Sequence, residues 1–553
     1  IPVRPKPSSA AAAAALSALW SRGRERMLST LLACAALFAF LSVNWAVFPI
    51  GAGFDPFIHQ ATERRIADTG TITPKPLYYV GQYALVLFLH HGFAIPVETA
   101  DRYLLPLLTA LLLPFSWLSA TLHASKKDPR FAPTSLFLLF LLPLGGFATT
   151  TPQGLANLWI LLLVLAAVPF LSGNERPHPG LLVLPTLATL AIHPLAGIPA
   201  LLWCAYLLTD KTLAPKRFET VARALRIATV AGGSLLLPLA FVFFAWKGGT
   251  SAFDTAGAWE RVRALFPAPP TVGAPYRTWL DFAVYAGYLA GAAFLALAAW
   301  GWPKAPVRLR AACVTFFLIL LGNYVLLGTV FDFSFLIEYE RLNYAARLPP
   351  LMLFALAPLA VHGLLRKREA LSKAPRPVRW FAALAGAALI PALWYAAYPR
   401  DDAYQKGHGY NVSAADVDAV KEIESRALES GEFRPYVGLA NQSVSAAAMN
   451  AIGFRYYGDQ FFYPIPTGGD LYALFLKMNA NPSRETARAA LDLVRERCKA
   501  TLECEYGKIQ DVYYAVDAYW WDSKNIIAKA KTNADDWFAL QNGAVHVFKY
   551  RFE

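Results

Sequence analysis

The chain has 553 residues, of which 56% are hydrophobic and only 16% are charged. A mean hydropathy of +0.37 excludes an ordinary soluble domain. The net charge of +13 does not indicate nucleic acid, because the basic residues lie in short clusters between apolar runs, as in the loops of a membrane protein.

Apolar runs long enough for a membrane helix recur through most of the chain. A hydrocarbon core of about 30 Å needs roughly 20 helical residues. The first run follows Arg22, Arg24 and Arg26, so it is predicted to be an anchor behind a flexible cytoplasmic leader at 1–27. The runs lie at about 28–49, 101–122, 131–149, 155–171, 223–246, 281–302, 311–331, 349–365 and 380–398.

The segment 181–209 is interrupted at His193-Pro194, where proline removes a backbone donor and kinks the preceding helix. If the segment crossed the membrane once, the basic cluster after Asp210 would face outwards. If it turns at His193 and returns as two short helices, that cluster joins the other Lys/Arg-rich segments inside. The second interpretation predicts about eleven membrane segments within a transmembrane module at 28–398.

The tail at 399–553 has a soluble composition and is predicted to be an extracytoplasmic α/β domain. Asn542-Gly543 predicts the turn of a final hairpin. Cys498 and Cys504 either form a disulfide in an oxidising compartment or remain thiols. Alternating helical and strand-like patterns lie at 414–428, 434–439, 484–498 and 512–518.

The first outer loop, at 50–100, opens with Gly53-Phe-Asp-Pro-Phe-Ile-His59 and continues into a predicted interfacial helix. Asp55 before Pro56 predicts a helix start with Asp55 as the N-cap. His59 and Glu63 follow on the same helical face. A carboxylate fixed at this place is positioned to act as a base. Capping alone would also explain Asp55, and a contact with lipid headgroups would explain His59.

A second charged outer loop enters a late apolar run and carries Glu338, Glu340, Arg341 and Arg347. Arginine binds phosphate through two parallel hydrogen bonds, which suits a lipid phosphate. A plain charged loop anchored by interfacial tyrosines is the alternative. His193 lies at an outer turn, where it either lines a cavity or has a structural role.

These three elements, in this order, resemble the GT-C superfamily of polytopic glycosyltransferases, which use polyprenyl-phosphate-linked sugars. The resemblance also includes Gly70-Thr-Ile72, the turn His193-Pro-Leu-Ala-Gly197 and a final hairpin similar to that of oligosaccharyltransferase-like members. It implies that Asp55 is the catalytic carboxylate. Oligosaccharyltransferases carry further acidic metal ligands in a second outer loop, but Thr149-Thr-Thr-Pro-Gln-Gly154 has none. We therefore assign no metal ligand and no certain cofactor, and leave dependence on a divalent metal open.

The resemblance implies transfer of a sugar from a polyprenyl-phosphate donor to an extracytoplasmic acceptor (a glycan, lipid or protein) at a bacterial inner membrane. Asp55 would act as general base with His59 beside it, and the other partners would be membrane lipids rather than nucleic acid. A transporter or flippase predicts ionisable residues deep within several spans, where this sequence has few. A non-catalytic membrane scaffold leaves the charged loops without a role. The donor phosphate would be bound by Arg341, Arg347 and His193, with Glu63, Glu338 and Glu340 in support.

Overall fold

The structure, a computed structural model, describes most of the chain. The described residues are 9–73, 78–124, 135–172, 179–212, 219–247, 258–265, 279–331, 343–397, 411–428, 433–464, 469–499 and 508–553.

The part of the chain before the tail is helical. Eight of its described helices (α1, α4, α5, α8, α10, α11, α13 and α14) are long and apolar enough to cross a membrane, and each coincides with a predicted apolar run. The protein is therefore a multi-pass membrane protein. The helices are α1 (Ser9–Val47), α2 (Asp55–Thr69), α3 (Val80–Phe93), α4 (Val97–Ala124), α5 (Pro152–Ser172), α6 (Gly180–Ile192), α7 (Pro194–Thr212), α8 (Glu219–Lys247), α9 (Ala258–Ala264), α10 (Trp279–Gly301), α11 (Val307–Thr329), α12 (Asn343–Ala346), α13 (Leu348–Ser372) and α14 (Arg376–Ala397).

Two sequence predictions differ from this arrangement. The described part of 131–149 forms short 3-10 turns at Leu136–Leu141 and Leu144–Phe147, because Pro143 and the following glycines interrupt a regular helix. The predicted spanning helix there is wrong, and the total of about eleven segments stays a prediction. Helix α1 already begins at Ser9, where the sequence predicts a flexible leader, since a run of alanines favours helix.

The segment 181–209 forms two short helices, as predicted. Helix α6 ends at Ile192 and α7 begins at Pro194, with His193 extended between them. Gly197 lets the two helices meet, because a Cβ at that position would lie 2.2 Å from the Cα of Leu190. The turn that holds His193 therefore depends on a glycine one helical turn further along.

The tail folds into an α/β domain, as predicted. A four-stranded sheet has the order β1 (Tyr436–Leu439), β4 (Asp511–Asp517), β6 (Val545–Arg551), β5 (Asp536–Leu540), with β1 and β4 parallel and the other pairs antiparallel. The β5–β6 hairpin turns at the predicted Asn542-Gly543, and Cys498 is disulfide-bonded, while Cys504 lies outside the described residues. The elements are α15 (Ala414–Ala427), β1 (Tyr436–Leu439), α16 (Gln442–Ile452), β2 (Tyr456–Tyr457), β3 (Gln460–Phe461), α17 (Asp470–Ala480), α18 (Arg484–Lys499), β4 (Asp511–Asp517), α19 (Ser523–Asn533), β5 (Asp536–Leu540) and β6 (Val545–Arg551).

Helix α2 joins the helical part to the α/β domain. Phe57 and Ala61 are buried in the same hydrophobic core as the domain's own side chains. The Asn450 side chain donates a hydrogen bond of 3.1 Å to the Phe57 carbonyl. Arg64 pairs with Glu98 at the start of α4 (3.0 Å) and donates to the Asn450 carbonyl (2.6 Å). The helix that carries Asp55 is thus fixed from both sides.

Candidate active site at the start of helix α2

Asp55 is the first residue of α2, and its side chain is exposed. Phe54 occupies the N-cap position, and no side-chain hydrogen bond caps this helix, so the predicted N-cap role of Asp55 is wrong. The position of this helix start depends on Gly53, the residue before Phe54. Gly53 has a φ of 77° and is bound by the α/β domain at both backbone groups, through Asn411 (2.7 Å) and Val412 (3.2 Å). This clamp sets the direction in which the chain enters α2.

His59 is buried one turn after Asp55, where it contacts two tyrosines. Its Nδ1 lies 2.9 Å from the hydroxyl of Tyr83, and its ring meets that of Tyr79 edge-on at 5.4 Å. Burial, with a smaller contribution from the Glu63 carboxylate, raises the pKa of Tyr83, so this phenol stays protonated. His59 is therefore held in a defined orientation beside the helix start rather than exposed to lipid headgroups.

Below His59, two buried carboxylates share an amide. The Gln82 Nε2 donates to Glu63 Oε1 at 3.3 Å and to Asp101 Oδ1 at 3.1 Å. The Gln60 Nε2 donates to the other Asp101 oxygen at 3.0 Å. These contacts fix α2 against α3 and α4. Asp101 was not singled out by the sequence analysis, because nothing in an apolar run marks one carboxylate as the partner of a distant glutamine.

Tyr79 lies at the centre of the predicted site residues. Its ring is 5.2 Å from that of His193 and 5.4 Å from that of His59, so it contacts both histidines. Burial raises the pKa of its phenol; the Arg347 charge opposes this shift, and the Asp55 charge adds to it. Both charges therefore act on the Tyr79 hydroxyl. Nothing in the sequence marks Tyr79 as a site residue, because it is one of several tyrosines in the loop.

His193 is buried at the turn between α6 and α7. Its Nδ1 accepts a hydrogen bond from the Leu195 N–H at 3.2 Å, which leaves the ring proton on Nε2. Burial, with a smaller contribution from the Arg347 charge, lowers the pKa of His193 to about 3. The imidazole is therefore neutral at physiological pH and offers one N–H donor.

Arg347 lies between α12 and α13, with its guanidinium 5.5 Å from the centre of the Tyr344 ring. No carboxylate lies within ion-pair distance of it among the residues that the structure describes. The other predicted residues of this loop, Arg341, Glu338 and Glu340, fall outside the described residues, and their roles stay predictions.

The site thus places two predicted residues, His59 and His193, against the Tyr79 ring, and the charges of two others, Asp55 and Arg347, act on its phenol. Asp55 supplies a carboxylate, whereas Tyr79, His193 and Arg347 all supply hydrogen-bond donors. A group of donors beside a carboxylate suits a phosphate next to a proton acceptor. Within the described ranges, no three or more His, Cys, Asp or Glu side chains form a cluster able to hold a metal ion.

Fold and site define a polytopic membrane protein with a charged site beneath an α/β domain. No protein-family model matches the chain, and no curated protein matches it. The chain is similar to a solved structure of the archaeal oligosaccharyltransferase AglB from Archaeoglobus fulgidus, in complex with an inhibitory peptide and a dolichol-phosphate. The identity is 13%, the match covers 94% of this chain and 74% of that chain, and the TM-score is 0.45. This is the type of enzyme that the sequence motifs resemble, but at these values the match assigns neither an activity nor a residue to this chain.

Proposed function

We propose that the protein transfers a sugar from a polyprenyl-phosphate donor to an extracytoplasmic acceptor. The observation that carries this proposal is the contact of the Tyr79 ring with His193, together with the action of the Arg347 and Asp55 charges on the Tyr79 phenol, beside helices apolar enough to lie in a membrane. A substrate with a hydrocarbon tail and a charged head must react where these two environments meet.

Arg347 is the proposed anchor of the donor phosphate, with the His193 Nε2 proton as a second donor and Arg341 as a third partner. A guanidinium matches the geometry of phosphate oxygens and keeps its charge at any working pH. A neutral histidine can still donate to an anion without adding a second buried charge. This group would stabilise the negative charge that develops on the leaving phosphate.

Asp55 is the proposed general base. It would take the proton from an acceptor hydroxyl while that oxygen attacks the anomeric carbon of the sugar. The bond between this carbon and the phosphate oxygen breaks, and the polyprenyl phosphate leaves with the electron pair. The exposed position of Asp55 at a helix start suits this role, because the helix dipole favours a carboxylate there. His59, Glu63, Glu338 and Glu340 would support the geometry.

The proposed orientation places the site and the α/β domain outside the cytoplasm of a bacterial cell. The disulfide at Cys498 favours this orientation, because such bonds persist in oxidising compartments. The arrangement of Lys and Arg between the apolar runs favours it as well.

One assay tests both reaction and orientation. Membrane vesicles that contain the protein are given a panel of radiolabelled short-chain polyprenyl-phosphate hexoses, and the release of polyprenyl phosphate is measured, since every acceptor yields this product. Right-side-out vesicles should release it with at least one hexose, and inside-out vesicles should do so only after permeabilisation. A donor that crosses the membrane unchanged would instead identify a transporter, and no release from any hexose would overturn the proposed reaction.

A further inference from the structure

Tyr79 has an unusual backbone conformation. Its φ of 64° lies in the left-handed region, which a bulky side chain rarely adopts. Residues held in such conformations cluster at ligand-binding and catalytic sites, because the surrounding structure must maintain them. The strained residue is also the one whose ring contacts both His59 and His193.

The surroundings of Tyr79 maintain this conformation. Its carbonyl accepts hydrogen bonds from the N–H groups of Gln82 (3.0 Å) and Tyr83 (3.3 Å), and so begins α3. Gly81 lies against the end of α6, where an added Cβ would be 2.9 Å from the backbone nitrogen of Ile192. The start of α3 thus packs directly against the turn that carries His193. This close packing restricts the backbone conformation of Tyr79.

The chemistry of the phenol follows from its neighbours. The hydroxyl is influenced by the Arg347 and Asp55 charges, and burial keeps it protonated at neutral pH. Because the Tyr79 ring contacts His193, its protonated phenol can donate to an anion that also accepts the His193 Nε2 proton.

We infer that the Tyr79 hydroxyl donates a hydrogen bond to the phosphate of the lipid-linked donor, while its ring contacts both histidines. This inference rests on the proposed function and adds one substrate-contacting residue to it. The chemistry recognised is a phosphate group, which a lipid-linked phosphate and a free phosphate share.

The test is the binding of farnesyl phosphate to the purified full-length protein in detergent, measured by isothermal titration calorimetry. Tyr79→Phe keeps the ring contacts and removes only the hydroxyl, so the dissociation constant should rise roughly tenfold or more, as expected for a lost hydrogen bond to a charged group. The matched control is Tyr78→Phe, which removes the same group from the exposed neighbour and should leave binding unchanged. Farnesol lacks the phosphate and should bind equally to wild type and Tyr79→Phe.

Wild-type affinity for farnesyl phosphate in a folded Tyr79→Phe protein would overturn the inference, and an unchanged thermal midpoint shows that the variant is folded. Inorganic phosphate that binds as tightly as farnesyl phosphate would overturn the lipid-linked part of it. The proposed function fails separately: Asp55→Asn with wild-type release of polyprenyl phosphate would remove the base whatever Tyr79 does. Normal binding by Tyr79→Phe, together with an inactive Asp55→Asn, would remove only the Tyr79 contact.

Discussion

Asp55 has two interpretations in the sequence, a helix cap and a catalytic base, and the structure bears on the first of them. A capping aspartate stands before the first helical residue and accepts a hydrogen bond from the backbone of the first turn. Asp55 is instead inside the helix, and no side chain caps the start of α2. Side-chain capping therefore does not explain the carboxylate, although the dipole of α2 favours a negative charge in its first turn.

The substitution Asp55→Asn tests whether Asp55 acts as the general base. The amide has nearly the same shape but cannot take up the proton, so release of polyprenyl phosphate should fall by about 10²–10⁴-fold while farnesyl phosphate still binds. The control is Asp68→Asn, an exposed carboxylate at the far end of the same helix, which should behave as wild type. Wild-type turnover in Asp55→Asn would exclude Asp55 as the base.

Single residues were only partly predictable. Asp55, His59, His193 and Arg347 stand out because charged or histidine side chains are rare beside apolar runs. Tyr79 and Asp101 do not, since their roles depend on which distant elements they meet. The left-handed backbone conformation of Tyr79 could not be predicted from the sequence, because glycine or asparagine usually occupies that conformation.

The packing of helices against one another and against the α/β domain positions the site residues. The α6–α7 pair was predictable, since a proline follows a histidine in the middle of an apolar run. The 3-10 turns after Leu136 were not, because composition alone marks that run as a membrane helix. Helix α2 was predicted in the outer loop, but its insertion into the core of the α/β domain depends on contacts across nearly 400 positions, such as Phe57 with Asn450.

Gly197→Ala tests the α6–α7 pair as a unit. The added methyl group would meet the Leu190 backbone, which cannot move aside as a side chain can. Overpacking costs about 1–3 kcal/mol, and the turn at His193 should open as well. We expect a lower thermal midpoint and weaker farnesyl phosphate binding.

The matched control is Gly291→Ala, a glycine in α10 with open space around its Cα. That substitution should leave the midpoint unchanged or raise it, because alanine favours helix over glycine by about 1 kcal/mol. Equal midpoints for the two variants would show that the close approach of α6 and α7 does not stabilise the protein.

On the scale of the whole molecule, both the helical part and the α/β domain contribute to the candidate site, and α2 connects them. The helical part supplies His193 and Arg347, while the α/β domain holds the start of α2 through Asn411 and Val412. Sequence composition separates these two parts at residue 399 but does not show that they meet at the first outer loop.

The most direct measurement is a structure of Asp55→Asn with a short-chain polyprenyl-phosphate hexose bound. The account predicts density for the phosphate within hydrogen-bond distance of Arg347, His193 Nε2 and the Tyr79 hydroxyl, with the anomeric carbon of the sugar facing residue 55. A donor bound elsewhere, or bound with its sugar turned away from residue 55, would contradict it.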